Sequence, residues 1–141
     1  MTVVEAALSW LNTPYHSMAK LKGVGVDCGQ LLIGVYEEAG RVKAGEVAPE
    51  PYTHDFHLHK SEERYLAWVE RYCDRVAEAE PGDIAVFKFG RCVSHAGIVL
   101  QWPKLIHAYV GYGVIISNYD AAILCNNRGE SRLYGIYRVR R

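Results

Sequence analysis

The sequence lacks an excess of charge of either sign. Its 141 residues include 16 Lys or Arg and 16 Asp or Glu, so the formal net charge at pH 7 is zero. Domains that bind nucleic acids usually carry a basic face that neutralises phosphates, and no such stripe is present. We interpret the basic C-terminal end, YRVRR, as a final strand with solvated arginines. No nucleic acid is therefore expected among the partners.

Long apolar runs are also missing. No segment approaches the roughly 18 apolar residues of a membrane-spanning helix. The N-terminal segment MTVVEAALSWLN carries Glu5 inside its apolar stretch and lacks the basic leader of a secretory signal. The sequence therefore predicts no membrane insertion and a product that is cytoplasmic as synthesised.

Cysteine is scarce and scattered. Cys28, Cys73, Cys92 and Cys125 form no CxxC pair and no zinc-like spacing. In a reducing compartment all four would be thiols. Cys73 falls in the amphipathic pattern WVERYCDRV, which favours core packing in a helix.

Helical patterns precede strand patterns along the chain. Apolar spacing predicts helices over 2–12, from Cys28 to about Ala39, and over SEERYLAWVERYCDRV at 61–76. The length fits a single domain, 1–141. The order predicts an α+β fold, with N-terminal helices packed on an antiparallel sheet. The predicted strands are short runs rich in β-branched and aromatic residues: IAVFKF, HAGIVLQW, KLIHAYV, GVIISNY and YGIYRV.

Cys28 lies where a glycine-containing loop, GVGVD, runs into the second predicted helix. A helix N-terminus supplies partial positive charge and unpaired N–H groups, which can lower the pKa of a thiol and hold an oxyanion. The sequence therefore predicts an activated nucleophile at Cys28. The alternative is an inert, packed cysteine.

Two histidines lie on neighbouring predicted strands. His95 opens SHAGIVLQW, and His107 lies in KLIHAYV after a turn at Trp102-Pro103. A hairpin there would make the two histidines an offset pair, in which one ring acts as base and the other orients it. Each alone could instead be a hydrogen-bonded, partly buried histidine. Together with a thiol they are the parts of an activated-thiol enzyme.

Four segments resemble a known family. NTPYHSMAKLKGVGVDCGQLL resembles the signature of the NlpC-type cell-wall cysteine peptidases, in which Asp-Cys opens a helix. PGDIAVFKF, SHAGIVL and IHAY resemble the family's Pro-Gly-Asp strand, first-histidine strand and second-histidine strand. The motifs occur in the family's order over residues 9–109.

The resemblance implies a compact papain-like fold and cleavage of peptidoglycan stem peptides, typically after a γ-linked D-glutamate, with no cofactor. It makes Cys28 the nucleophile, His95 the base and His107 the residue that orients it, and it places Tyr15 beside the oxyanion. The short form most resembles the phage and prophage tail-associated branch, which implies phage-tail partners and possible virion association.

Four further residues are predicted to contact substrate: Asp27, Gln30, His16 and Ser94. Gln30 marks a departure, because the family usually has Ser-Gly after Asp-Cys and this chain has Gly29 and Gln30. A bulkier polar side chain there would change packing or substrate contact near the thiol. His16, next to Tyr15, could be a pocket residue or a solvated one.

The segment YTHDFHLHK offers His54, His57 and His59, with Asp55 as a fourth potential ligand. Such a cluster can bind zinc. No second ligand group with zinc-like spacing follows, so a polar loop is favoured and no metal is predicted. A third interpretation is that this loop caps the active-site groove.

Two alternative functions remain open. The same residues would serve a papain-like acyltransferase or an amidase with another substrate. A phage-tail structural protein or muropeptide-binding protein could also retain the site without using it.

Overall fold

The computed structural model describes residues 1–47 and 64–140. Three helices precede most of the sheet, and a short 3₁₀ helix precedes the last strand. The helices are α1 Val3–Leu8, α2 Cys28–Glu38 and α3 Arg64–Tyr72, and the 3₁₀ helix is Ala122–Leu124. The strands are β1 Lys20–Leu21, β2 Gly25–Val26, β3 Cys73–Val76, β4 Ile84–Phe89, β5 Cys92–Gln101, β6 Lys104–Tyr109, β7 Gly113–Asn118 and β8 Leu133–Val139.

The main sheet has six strands in the order β3-β8-β4-β5-β6-β7, and every neighbouring pair is antiparallel. β1 and β2 form a separate two-stranded hairpin just before α2. The predicted hairpin between β5 and β6 is confirmed, with its turn at Trp102-Pro103. The α+β prediction, helices packed on an antiparallel sheet, is likewise confirmed.

Both faces of the sheet are covered by apolar packing. Strand residues alternate between faces, so Val86 joins a cluster with α1, α2 and α3, while its neighbour Phe87 joins a smaller cluster on the other face. From α2, Leu31 and Val35 are fully buried in the first cluster. This packing fixes α2 against the sheet and therefore fixes where its first residue lies.

The predicted helix over 61–76 is wrong at its C-terminal end. α3 ends at Tyr72, and Cys73–Val76 form an edge strand that pairs with β8. Cys73 is buried against the core, as expected, but from a strand. Pairing with β8 satisfies the backbone of this segment, and that long-range partner overrides the local helical pattern.

The first helix is shorter than the predicted 2–12. α1 ends at Leu8, and the chain then turns through Asn12, whose φ of 71° is left-handed. The N-terminus agrees with the prediction, because Thr2 and Glu5 form a capping box. Among the residues described, no helix is both long and apolar enough to cross a bilayer.

Candidate active site

Cys28 is the first residue of α2, and the helix start is held by Asp27. The Asp27 carboxylate accepts the backbone N–H of Gln30 at 2.8 Å and that of Met18 at 2.6 Å. Asp27 is only 2% exposed, so its charge is used to join the preceding loop to the helix. The structure gives Asp27 a capping role, and its contact with substrate stays a prediction.

The Cys28 thiol is free and half-buried against β5. Its Sγ lies 3.8 Å from the carbonyl oxygen of Ser94, and the backbone of Ala96 also interacts with it. The sulfur therefore contacts the strand on both sides of His95. The Tyr65 hydroxyl of α3 also interacts with this sulfur.

His95 and His107 are joined directly. His95 Nε2 lies 2.8 Å from His107 Nδ1, and His107 Nε2 lies 2.9 Å from the Ser117 hydroxyl of β7. His95 is 7% exposed and His107 is fully buried. The predicted offset pair is thus a hydrogen-bonded pair, and it leaves Nδ1 as the other ring nitrogen of His95.

Aromatic rings surround the two imidazoles. The ring centroid of His95 lies 6.0 Å from that of Phe87, 5.9 Å from Phe89 and 5.4 Å from Tyr109. These rings exclude water from one side of the pair and restrict its rotation. The orientation of His95 is therefore fixed by packing as well as by His107.

Burial makes the neutral forms dominant at this site. Burial, followed by the Asp27 carboxylate, raises the pKa of the Cys28 thiol to about 12, despite opposing hydrogen bonds from Tyr65 and the backbone of Ala96 and Gly29. Burial and the neighbouring His107 hold the pKa of His95 well below its usual range. Burial lowers the pKa of His107 to about 4.

The expectation that the helix start lowers the pKa of Cys28 is therefore wrong for the resting protein. The partial charge of a helix N-terminus is worth only about 0.3–1 kcal/mol at an exposed site. Loss of solvent around the sulfur and the carboxylate next to it both raise the pKa of the thiol. The directions of these pKa shifts favour a protonated thiol and neutral imidazoles in the resting protein.

The buried histidines predict a loss of stability in mild acid. Both pKa values are lowered on folding, so the unfolded chain binds more protons between pH 6.5 and 4, and the free energy of unfolding falls as pH falls through that window. A shift of His107 from 6.5 to about 4 corresponds to about 3 kcal/mol by pH 4. Guanidinium unfolding measured at several pH values tests this expectation.

Two variants compare the buried His107 with the exposed His16. H107Q should reduce the pH dependence of the unfolding free energy between pH 6.5 and 4, because only the buried His95 then contributes to it. H16Q should retain it, because His16 is exposed. An H107Q slope equal to that of the wild type would contradict the assignment.

The other predicted site residues differ in placement. Ser94 contacts the Cys28 sulfur through its backbone carbonyl. Tyr15 is half-buried, and it lies close enough to Cys28 for an electrostatic interaction between the two side chains. Gln30 is half-buried in the first turn of α2, whereas His16 is exposed. The cluster of His54, Asp55, His57 and His59 lies outside the described residues. Within 1–47 and 64–140, no group of three potential metal ligands is present.

Sequence reasoning missed two contacts of the site. The Ser117 side chain lies on the face of β7 that contacts His107. A polar residue within the strand-like run GVIISNY is the sequence signal that could have indicated this contact. Tyr65 reaches the thiol from α3 through tertiary packing. No local sequence pattern predicts this contact between Tyr65 and the thiol.

Solved structures share this architecture. The NlpC/p60 domain of the peptidoglycan hydrolase SagA has a TM-score of 0.55 and 21% identity, over 83% of this chain and 86% of that one. An NlpC/P60 family protein from Bacillus cereus has a TM-score of 0.63 and 17% identity, over 97% of this chain but only 39% of that one. The chain has the NlpC/p60 fold. No family model and no curated protein matches its sequence.

The NlpC/p60 fold also occurs without catalysis. RipD from Mycobacterium tuberculosis, described as a non-catalytic NlpC/p60 domain protein adapted to peptidoglycan binding, has a TM-score of 0.57 and 16% identity. The match covers 99% of this chain and 94% of RipD. Proteins with this fold therefore include both a hydrolase and a non-catalytic binding protein, so the fold alone does not decide the function of this chain.

Proposed function

We propose that this protein is a cysteine peptidase or amidase that hydrolyses peptidoglycan stem peptides, with residues 1–141 acting as one domain. The observation that carries the proposal is the meeting of two sets of contacts at His95: the Cys28 sulfur lies against the backbone on both sides of His95, and the His95 ring bonds to His107. The substrate class is supported by SagA, whose NlpC/p60 domain belongs to a peptidoglycan hydrolase.

The reaction begins from the neutral pair. His95 Nδ1 takes the proton of the Cys28 thiol while the sulfur attacks the amide carbon, so that the thiolate forms only as it is consumed. His107 Nδ1 accepts a hydrogen bond from the Nε2–H of the imidazolium that results. The base is thereby held in one orientation throughout the step.

The tetrahedral oxyanion forms at the start of α2. The backbone N–H of Cys28 and the Tyr15 hydroxyl are the proposed donors. Burial, followed by the charge of Cys28 and then that of Asp27, raises the pKa of Tyr15 above its ordinary value. Tyr15 therefore remains a hydrogen-bond donor at neutral pH.

The bond changes balance over two steps. His95 gives its proton to the leaving amine as the C–N bond breaks, which leaves a thioester on Cys28. Water then adds to the thioester carbon and gives a proton to His95. Breaking of the C–S bond releases the acid, and the sulfur recovers a proton.

Digestion of purified peptidoglycan tests the proposal. The products are separated and weighed by mass spectrometry, which identifies the scissile bond. We expect new amine and carboxyl ends within the stem peptide with the wild type, and none with H95A. Intact stem peptides after prolonged incubation with folded wild-type protein would overturn the proposal.

A non-catalytic, muropeptide-binding role is the second candidate. It is favoured by the raised pKa of Cys28, which keeps the sulfur protonated in the resting protein, and by the binding role stated for RipD. Stable binding of muropeptides to wild-type protein without cleavage would support this candidate. An acyltransferase or an amidase with another substrate would show instead as transfer products, or as cleavage of other amides.

We also propose, on the resemblance of the sequence alone, that a phage tail delivers the protein to the cell wall. Detection of the chain in purified virions would support this proposal. Its absence from virions of a phage that encodes it would refute it.

A further inference from the structure

One hydrogen bond of the site has no role in the proposed reaction steps. The second ring nitrogen of His107, Nε2, lies 2.9 Å from the Ser117 hydroxyl. In the β6–β7 ladder His107 is opposite Ile115 and Ser117 is opposite Leu105, so the contact is diagonal across the pair of strands. It extends the polar chain from His95 to the edge strand of the sheet.

The positions of the ring protons determine which partner donates in the hydrogen bond between His107 and Ser117 during catalysis. A neutral imidazole has one donor and one acceptor nitrogen. When His95 is protonated, its Nε2–H must donate to His107 Nδ1, so His107 must carry its own proton on Nε2. That N–H is fully buried, and a buried donor without an acceptor is costly. The hydroxyl oxygen of Ser117 is the acceptor in reach.

The opposite direction would disable the base. If His107 Nδ1 donated to His95 Nε2, then His95 would carry its single proton on Nδ1 and could not accept one from Cys28. The Ser117 hydroxyl can satisfy His107 in either state, because it both donates and accepts. The Ser117 hydroxyl can therefore bond to His107 in the resting protein and can also stabilise the state in which His95 is an imidazolium.

We propose that Ser117 is a positioning residue, whose hydroxyl accepts the Nε2–H of His107 and thereby keeps His95 Nδ1 free to take the proton of Cys28. This inference rests on the proposed hydrolase function. Tyr109, the last residue of β6, also packs on both imidazoles, with its ring centroid 5.4 Å from that of His95 and 5.9 Å from that of His107.

The test compares Ser117→Thr with Ser117→Val, which have nearly the same shape and differ in the hydroxyl. Loss of the groups that orient a catalytic or metal-bound imidazole typically costs about 10- to 100-fold or more. We expect S117V to lower kcat for stem-peptide hydrolysis by about 10-fold or more, with KM changed less than about 3-fold. S117T should stay within about 3-fold of the wild type. Asn118→Ala, on the exposed next residue of β7, is the matched surface control.

A second readout does not depend on activity. The ¹⁵N chemical shifts of the imidazole nitrogens report which nitrogen of His95 and His107 carries the proton. We expect the wild type and S117T to hold His107 protonated on Nε2, and S117V to populate the other tautomer. If the wild type hydrolyses nothing and the tautomers still shift in S117V, the hydrolase proposal fails while the hold of Ser117 on His107 is supported.

Two results would contradict the positioning role of Ser117. An active wild type whose S117V variant keeps the same kcat and the same ring protonation would overturn it. Equal losses in S117T and S117V would also overturn it, because the hydroxyl would then not be the cause.

Discussion

Replacing Cys28 with alanine is expected to lower kcat/KM for stem-peptide hydrolysis by at least about 10⁴-fold, since removal of the nucleophile of a catalytic triad costs about 10⁴- to 10⁶-fold. Binding should survive, with the dissociation constant of an uncleaved muropeptide changed by less than about 3-fold. Steady-state kinetics and calorimetric titration measure the two quantities.

Cys125→Ala is the matched control, because Cys125 is also a free, half-buried cysteine. Its Sγ donates to the carbonyl of Asp120 in a surface turn. C125A should keep wild-type activity. Retention of substantial hydrolysis in C28A, or equal losses in the two variants, would show that the Cys28 sulfur is not the nucleophile.

Replacing Gly97 with alanine is expected to destabilise the fold by about 2 kcal/mol, within the range for overpacking a core. A Cβ at Gly97 would lie 2.6 Å from Leu105 Cδ1, 2.9 Å from the backbone oxygen of Ile106 and 3.0 Å from His107 Cβ. Two of these neighbours belong to the backbone or to the root of a buried side chain and cannot swing away. His107 must therefore shift, and hydrolysis should fall by at least about 10-fold.

Gly135→Ala is the comparison that isolates this effect. Gly135 is also a strand glycine, but an added Cβ would meet the guanidinium end of Arg75, 2.9–3.0 Å away. Arg75 is exposed and can move. We expect a change below about 1 kcal/mol, with activity intact. Chemical denaturation of both variants gives the difference, and equal destabilisation would contradict the role assigned to Gly97.

Much of the site could be predicted from the sequence because its signals are local. The glycine-containing loop that leads into a helix at Cys28, the apolar face of α2, and the turn between the two histidine strands are each visible within about ten residues. Two such segments joined by a short turn leave the rings few ways to be arranged. The sequence therefore predicts that the two rings lie near each other, and the structure adds their direct hydrogen bond.

The remainder depends on contacts between distant segments. Cys73–Val76 become a strand only because β8 lies beside them. The pKa of Cys28 rises because packing removes water from a thiol next to Asp27, and a helix-start pattern does not report that burial. Ser117 enters the site by a diagonal contact across a ladder whose register the sequence leaves open.

The central claim is that the Cys28 sulfur forms a covalent bond to the substrate carbonyl. Its most direct test is rapid acid quenching of the wild-type protein mixed with a stem peptide, followed by intact-mass and peptide mass spectrometry. We expect a transient mass increase equal to the acyl part of the substrate, located on Cys28 and absent from H95A. Cleavage that proceeds with no adduct, or with the adduct on another residue, would contradict the account.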